Sequence, residues 1–381
     1  MDILGTFDPA RIKSIAAEVL RQARDRKDFA VDRKALRVVA VDKSLTLGIA
    51  GQDSLLELRR SSLSQLCGTL DVPLRYVDRL TEAGHVDLAA AALNGILGRE
   101  PKRHFVRTLD GRADAILSDR FRAIGNDAVL GVALEEAKRA GATIWDLRSS
   151  PDAFRFLAVA KHISGEVDTS RAFKARWRWE GKEGDVVNAA ITIGNSETGH
   201  GSFFASPSIL RGICQNFCVW ADGVARIHVG RKIEANDAGE VFFSDETKSL
   251  DDRTLLSKVR DVIRSTFDPK SFQAKIDALN AATRVVLDKP VEAVAASIRA
   301  FGLPVERQEA ILAELLGTGD TTQYGLAQAI TAQVNPRNAG EVSDEERSLF
   351  EDAGGAILSS DARAFSRILA TAPRKEEVAA A

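Results

Sequence analysis

Residues 173 to 179 read Phe173, Lys174, Ala175, Arg176, Trp177, Arg178 and Trp179. In an extended strand, successive side chains point to opposite faces. Lys174, Arg176 and Arg178 then share one face, and Phe173, Ala175, Trp177 and Trp179 share the other. A row of cations suits a polyanion backbone, and a row of aromatics suits stacked bases or a core. An amphipathic strand with a solvated face shows the same alternation. Two further basic–aromatic clusters precede it: Lys102, Arg103, His104, Phe105 and Arg107, then Arg120, Phe121 and Arg122. With Arg211, the candidate nucleic-acid contacts are Lys102, Arg103, Arg107, Arg120, Arg122, Lys174, Arg176, Arg178 and Arg211.

Other constellations carry competing chemistry. Asn195, Ser196, Glu197, Thr198, Gly199 and His200 form a dense polar stretch after an apolar run. Its glycine permits close backbone approach to a phosphate, but no Gly-Lys-Ser/Thr follows, so it is not a P-loop. Cys214 and Cys218 are four apart on a predicted helix and would share one face. With His200 and His228 a zinc site can be drawn, yet the spacing matches no common zinc pattern and cysteine is among the most buried residue types, so the two cysteines are read as core packing. No nucleophile–base pair emerges from spacing, so neither a catalytic residue nor a metal or other cofactor is assigned. Residues 62–81 read as two helices joined at Asp71-Val72, an arrangement shared by duplex-reading helix-turn-helix units and by ordinary packed helices.

Charge and composition narrow the classes. The net charge is −2, but residues 1–100 carry +1, residues 101–232 carry +5 and residues 233–381 carry −8. The middle segment is where a nucleic-acid surface fits by charge. No run of eighteen apolar residues marks a membrane span, and the first residues lack the basic-then-apolar pattern of a signal peptide. Three cysteines make no disulfide framework, which points to a reducing cytoplasm.

The elements that must position these residues follow from periodicity and punctuation. Asp8-Pro9 starts a helix, and Leu36–Val41 with Leu45–Ala50 form a hairpin. Phe105–Leu109 and Ala113–Leu117 flank Asp110-Gly111, a strong hairpin signal. Asn126 caps a helix that Gly141 ends. Strands are predicted over Thr143–Arg148, Phe154–Ala160, Ala172–Trp179 and Val186–Ile193, with Ser202–Ala205 continuing the sheet. Pro207 opens a predicted helix to Trp220, and Val224–Val229 is a last strand. After residue 245 the period becomes helical. The reading is an α+β fold. A mostly helical region covers residues 1–98, and an antiparallel sheet core in the order hairpin, helix, strands, helix covers 99–245. An acidic helical region covers 246–372, and a flexible tail 373–381.

Several segments resemble a family of phage- and plasmid-encoded proteins known as domain-of-unknown-function 932. They are Ala115–Ile124, Asn195–Gly199 leading to Arg211–Asn216, Arg226–His228 and Tyr324–Thr331. Two positions depart from the family pattern: Phe217 stands where Gly is usual, and Gln328 where Asn is usual. The order of elements in the middle segment is similar to that of the single-strand annealing recombination proteins of the eukaryotic Rad type and their phage relatives. That likeness implies a basic groove on a curved sheet and hairpin, arranged around an oligomeric ring. It leads to an expectation of single-stranded DNA binding and strand annealing by a homo-oligomer, ring or filament, without catalysis or a membrane. An enzyme or defence-related factor, with a site near Asn195–His200 and Cys214–His228, is one alternative. A duplex DNA regulator acting through residues 62–81 is the other.

Overall fold

The computed structural model describes residues 8–99, 102–118, 121–169, 185–212, 216–220, 224–226, 245–335 and 342–370. Asp8 accepts a hydrogen bond from the Ala10 N–H, and Pro9 sits in the first turn of helix α1 (Pro9–Asp25). Proline loses nothing there, because that N–H has no helical partner.

The first sheet is mixed and six-stranded. β2 (Leu36–Val41) and β3 (Ser44–Ile49) form the first hairpin. β5 (Arg103–Leu109) and β6 (Arg112–Ser118) form the second, with Asp110 at φ 51° and Gly111 at φ 76° in its turn. A hairpin turn of this type holds both central residues left-handed, which is why Asp-Gly signals one. β1 (Lys27–Asp32) and β4 (Leu56–Leu58) complete the order β1-β5-β6-β4-β3-β2. β4 runs parallel to β6, and the other pairs are antiparallel.

Three helices follow β4: α2 (Arg60–Leu70), α3 (Leu74–Glu82) and α4 (Val86–Leu97). Leu66 and Leu93 from α2 and α4 pack on Val38, Leu47, Val106 and Ile116 of the sheet. Asn94 of α4 also closes the open edge of β2. Its amide donates to the Val38 carbonyl at 2.7 Å and accepts from the Val38 N–H at 2.8 Å. An edge strand otherwise presents those groups as a template for another chain.

The division expected at residue 98 therefore falls inside one sheet. The hairpin β5–β6, assigned from sequence to the middle segment, supplies central strands of the N-terminal sheet. Phe29 and Val31 of β1 and Leu56 and Leu58 of β4 are apolar residues that find their core only beside it.

The second sheet follows α5 (Asn126–Arg139). The N-cap of α5 is Gly125, one residue before the expected Asn126, and Gly141 at φ 65° lies just past its end. β7 (Thr143–Ser149), β8 (Phe154–Val167), β9 (Asp185–Asn195), β10 (Phe203–Arg211) and β11 (Phe217–Val219) lie antiparallel in the order β11-β10-β9-β8-β7. β12 (Val224–Arg226) pairs with Phe203–Ala205 at one end of β10, while β11 pairs with Ser208–Leu210 at the other.

The helix expected from Pro207 to Trp220 is replaced by β10 and β11. Pro207 sits in the gap between the two short strands that share this edge, and its carbonyl accepts from the Trp220 N–H at 2.7 Å. A proline cannot donate to a ladder, and the gap is where no donor is needed. Cys218 lies in β11 rather than on the helix inferred for it, and Cys214 lies outside the described residues.

The remaining α-helices among the described residues are α6 (Asp245–Thr266), α7 (Pro269–Ala282), α8 (Pro290–Phe301), α9 (Gln308–Thr318), α10 (Gln323–Ala332), α11 (Asp344–Ser359) and α12 (Ala362–Leu369). One face of the second sheet, with Phe154, Phe156, Ile191, Ile193 and Ile209, is buried in a core continuous with these helices and with α1 and α5. Helix α11 crosses β11 closely. A Cβ at Gly355 would stand 1.7 Å from the Val219 carbonyl oxygen, so only glycine fits. The fold is α+β, with a helical C-terminal region.

Candidate nucleic-acid interface

Most of the cations singled out by sequence that the structure describes are engaged within the protein. Lys102 and Arg103 are exposed at the start of β5. Arg107 shares its sheet face with Arg103 and Phe105, as alternation requires, but the face is progressively covered along the strand and Arg107 is buried. Its guanidinium donates to both oxygens of Asp28 at 2.8 and 2.7 Å and to the Glu197 carbonyl at 3.1 Å. Arg122 pairs with Asp252 at 3.0 Å and Asp251 at 3.5 Å on α6. Arg211 is buried against Asp185. Arg120, Lys174, Arg176 and Arg178 lie outside the described residues. The last three belong to the connection between β8 and β9, whose ends pair at Val167 and Asp185.

The polar stretch 195–200 is a joint between the two sheets. Asn195 donates to the Ile124 carbonyl at 2.8 Å and to Asn126 Oδ1 at 2.7 Å. Glu197 takes the Arg26 guanidinium and the Asn126 N–H. Gln65 of α2 donates to the Thr198 carbonyl at 2.6 Å and accepts from the Ile116 N–H at 3.0 Å. Gly199 has φ 79°, and a Cβ there would stand 3.0 Å from Leu117 and 3.2 Å from Phe121. Beside it, Arg59 makes a two-point pair with Asp152, which also accepts from Thr198. His200 Nδ1 is 3.1 Å from Thr198 Oγ1 and 3.4 Å from Asp152. These groups engage one another, which is the work of a structural joint. His228 and Cys214, the other half of the alternative enzyme site, lie outside the described residues.

Four of the stretches singled out by sequence meet in two pairs. Ala115–Ile124 packs on Asn195–Gly199 as just described. Arg211 lies over the Tyr324 ring, 5.3 Å from its centroid, and Asn216 donates to the carbonyl and side-chain oxygens of Gln328 at 3.1 and 3.3 Å. In the 62–81 unit, α2 buries Leu66 and Leu70 against the first sheet, while α3 exposes Arg75, Tyr76 and Arg79.

A cationic–aromatic cluster forms on residues that sequence reading missed, with Lys161 exposed, Trp145 half-buried and Phe217 buried. Trp145 on β7 and Phe217 on β11 belong to opposite edge strands of the second sheet, yet their ring centroids are 6.4 Å apart. In a flat sheet those strands would stand about 19 Å apart, at about 4.8 Å per step. The sheet therefore curls, and both rings lie on its concave side with Leu157, Val159, Ala190 and Leu210. Two irregularities aim the side chains. The pairing of β7 with β8 shifts between Ile144 and Asp146, which turns Trp145 and Asp146 to the same side. The pairing of β8 with β9 shifts between Ala160 and Ser164, and Lys161 there holds its ammonium 6.0 Å from the Trp145 ring centroid. Bulges of this kind re-aim side chains next to functional sites. The available signals were a lone tryptophan beside alternating Asp146 and Arg148, and the polar Lys161-His162 interruption of an apolar strand.

Among the described residues no group of His, Cys, Asp or Glu is arranged to hold a metal ion, and no helix is long and apolar enough to cross a membrane. No family model, curated protein or solved structure matches this chain.

Proposed function

We propose that this protein binds single-stranded nucleic acid, DNA in the first instance, along the concave side of its second sheet. The observation that carries the reading is the Lys161–Trp145–Phe217 platform. Aromatic faces accept any base, and adjacent cations follow the backbone. Strand β8, which carries Lys161, leads into the connection that contains Lys174, Arg176 and Arg178 alternating with Trp177 and Trp179. Lys161 thus stands on the strand that the cationic row follows in the sequence. Strand annealing by a homo-oligomer extends this reading: one sheet spans few nucleotides, so register over a long strand needs several copies side by side. The −8 C-terminal region of one copy is a natural contact for the +5 segment of the next.

A gel-shift series with single- and double-stranded 40-mers at 50 and 200 mM salt tests it. Single strands should bind preferentially. Replacing Lys174, Arg176 and Arg178 together by Gln should flatten the salt dependence, by about 0.7 log units of slope for each phosphate left without its cation. An unchanged slope in a folded triple variant removes that face from the reading. Light scattering with and without DNA tests the oligomer, and a monomer in both conditions rules out the annealing extension.

A further inference from the structure

We infer that Arg33 is the centre of a phosphate-binding site on the first sheet, with Lys102 beside it. The site is separate from the concave side of the second sheet and does not depend on a strand binding there. Five arginines are buried among the described residues: Arg33, Arg107, Arg155, Arg211 and Arg347. Four of them are tied to acceptors of the protein. Arg107 holds Asp28, Arg155 holds Glu351, Arg211 holds Asp185, and Arg347 donates to the Val334 carbonyl. The Arg33 side chain has no hydrogen bond and no ion pair with a described residue, and its buried Nε is without a partner. Only 4% of the residue is exposed. An arginine that simply lays its stem on a core keeps its charged head in open water. A guanidinium withdrawn this far is costly unless an anion meets it. Of its three nitrogens only Nε is both sealed from solvent and unbonded, so the terminal pair reaches the surface. That pair is the fork that takes two oxygens of a phosphate or a carboxylate.

The backbone gathers further cations at this corner. Arg33 opens the short turn Arg33–Ala35 after β1, and its N–H donates to the Lys102 carbonyl at 2.7 Å, just before β5. Asp32 stands opposite Arg103 in the β1–β5 ladder. Lys34, Lys102 and Arg103 are exposed, and none of them forms an ion pair with a described carboxylate. Asp32 is the neighbouring acid, and its carboxylate accepts from the Lys34 N–H at 2.8 Å. Arg33, Lys34, Lys102 and Arg103 against Asp32 leave a positive corner, which favours a dianion over a single carboxylate.

The test is calorimetric titration of the full-length protein with inorganic phosphate at low salt, with acetate as the monoanion control. Two charge-assisted contacts correspond to a dissociation constant of about 1 mM. Acetate should bind at least about tenfold more weakly. Arg33→Met keeps the apolar stem and removes the charge. It should weaken phosphate binding at least about tenfold. Its melting temperature in phosphate-free buffer should equal or exceed that of the parent, because a buried charge without a partner is gone. Lys102→Gln should weaken phosphate binding less than Arg33→Met. Lys43→Gln, in the exposed turn at the far end of β2, should leave it unchanged. No phosphate binding by the folded parent overturns the inference, and so does unchanged binding in Arg33→Met. Equal binding of acetate overturns the phosphate assignment, and an equal loss in Lys43→Gln would show a diffuse field in place of a site. A lower melting temperature of Arg33→Met in phosphate-free buffer would make Arg33 a structural residue and also overturn it. Once phosphate binds, competition by (dT)10 with and without a 5′-phosphate identifies its source. Stronger competition by the phosphorylated strand assigns a chain end, equal competition assigns the backbone, and no competition assigns free phosphate.

Discussion

The guanidinium of Arg211 donates through Nε to both carboxylate oxygens of Asp185, at 2.8 and 2.7 Å, and both side chains are buried. The Tyr324 hydroxyl donates to the same carboxylate at 2.6 Å. This triad clamps the end of β10 to the start of β9 and to helix α10. Its charge is spent inside the protein. Arg211→Ala should leave Asp185 as a buried, uncompensated carboxylate and destabilise the fold by about 3 to 5 kcal/mol. The salt slope of nucleic-acid binding should not change, because a guanidinium held by Asp185 neutralises no phosphate. Urea unfolding together with the gel-shift series checks both halves. A stable variant with a reduced slope would return Arg211 to the binding surface.

Trp145 is half-buried on Leu157, Val159, Ala190, Leu210 and Phe217, so truncating it removes packing as well as a stacking face. Trp145→Ala should weaken single-strand binding by about 1 to 3 kcal/mol and also lower the urea midpoint, with binding measured where the variant is fully folded. Lys161→Ala should weaken binding less and reduce its salt dependence. Anisotropy with a labelled oligonucleotide measures both. Full affinity in Trp145→Ala would detach the platform from binding.

Where sequence chemistry is local, the fold was legible. Asp110-Gly111 announces its hairpin because two left-handed residues suit no other common structure. The C-terminal helices are marked by Pro269, Pro290, Gly302 and Gly319 at their ends and by capping side chains such as Asp268, Ser343 and Asp361. The strand β10 was misread because both of its faces are buried. Ile209 points to the helix-covered core and Leu210 to the concave side, so the period of two is lost and Pro207 looks like a helix start. The site was misjudged for a different reason. A cation's type and spacing do not reveal its partner, and Asp28, Asp185 and Asp252 lie 79, 26 and 130 residues from the arginines they hold. Trp145 and Phe217 are 72 positions apart in sequence, and only the curl of the sheet joins them.

Cys67 and Cys218 are both buried without a disulfide. Burial pushes the Cys67 thiol up to about 11, and the thiolate is the reactive form. At pH 8 neither should react with a maleimide in the native state, and both should react promptly in urea. Of the three cysteines in the chain, at most one should therefore label quickly. Cys218→Ala should cost about 1 kcal/mol and leave nucleic-acid binding intact. Thiol counting by mass spectrometry decides it, and rapid native labelling of Cys67 would contradict its packing between α2 and the first sheet.

Asp114 on β6 gives the joint between the sheets a pH dependence of definite sign. Its side chain is buried, Oδ1 has no hydrogen-bond partner, and Arg59 and Arg112 approach only to 3.7 and 4.0 Å. Burial holds its pKa above the ordinary carboxylate value, with the two arginines pulling the other way. In the unfolded chain the group titrates near about 3.9. Between that value and the raised one, the native state binds more protons than the unfolded state. Its contribution to stability is then fully present at low pH and is lost as pH rises through the folded pKa. Asp114→Asn keeps the shape and removes the titration. The variant should match the parent protein at the acid end of the range, and it should have the higher urea midpoint at pH 7.5. Parallel urea titrations from pH 4 to pH 8 measure the difference. A variant less stable at pH 7.5 than at pH 4, relative to the parent, would mean that the pull of Arg59 and Arg112 outweighs burial.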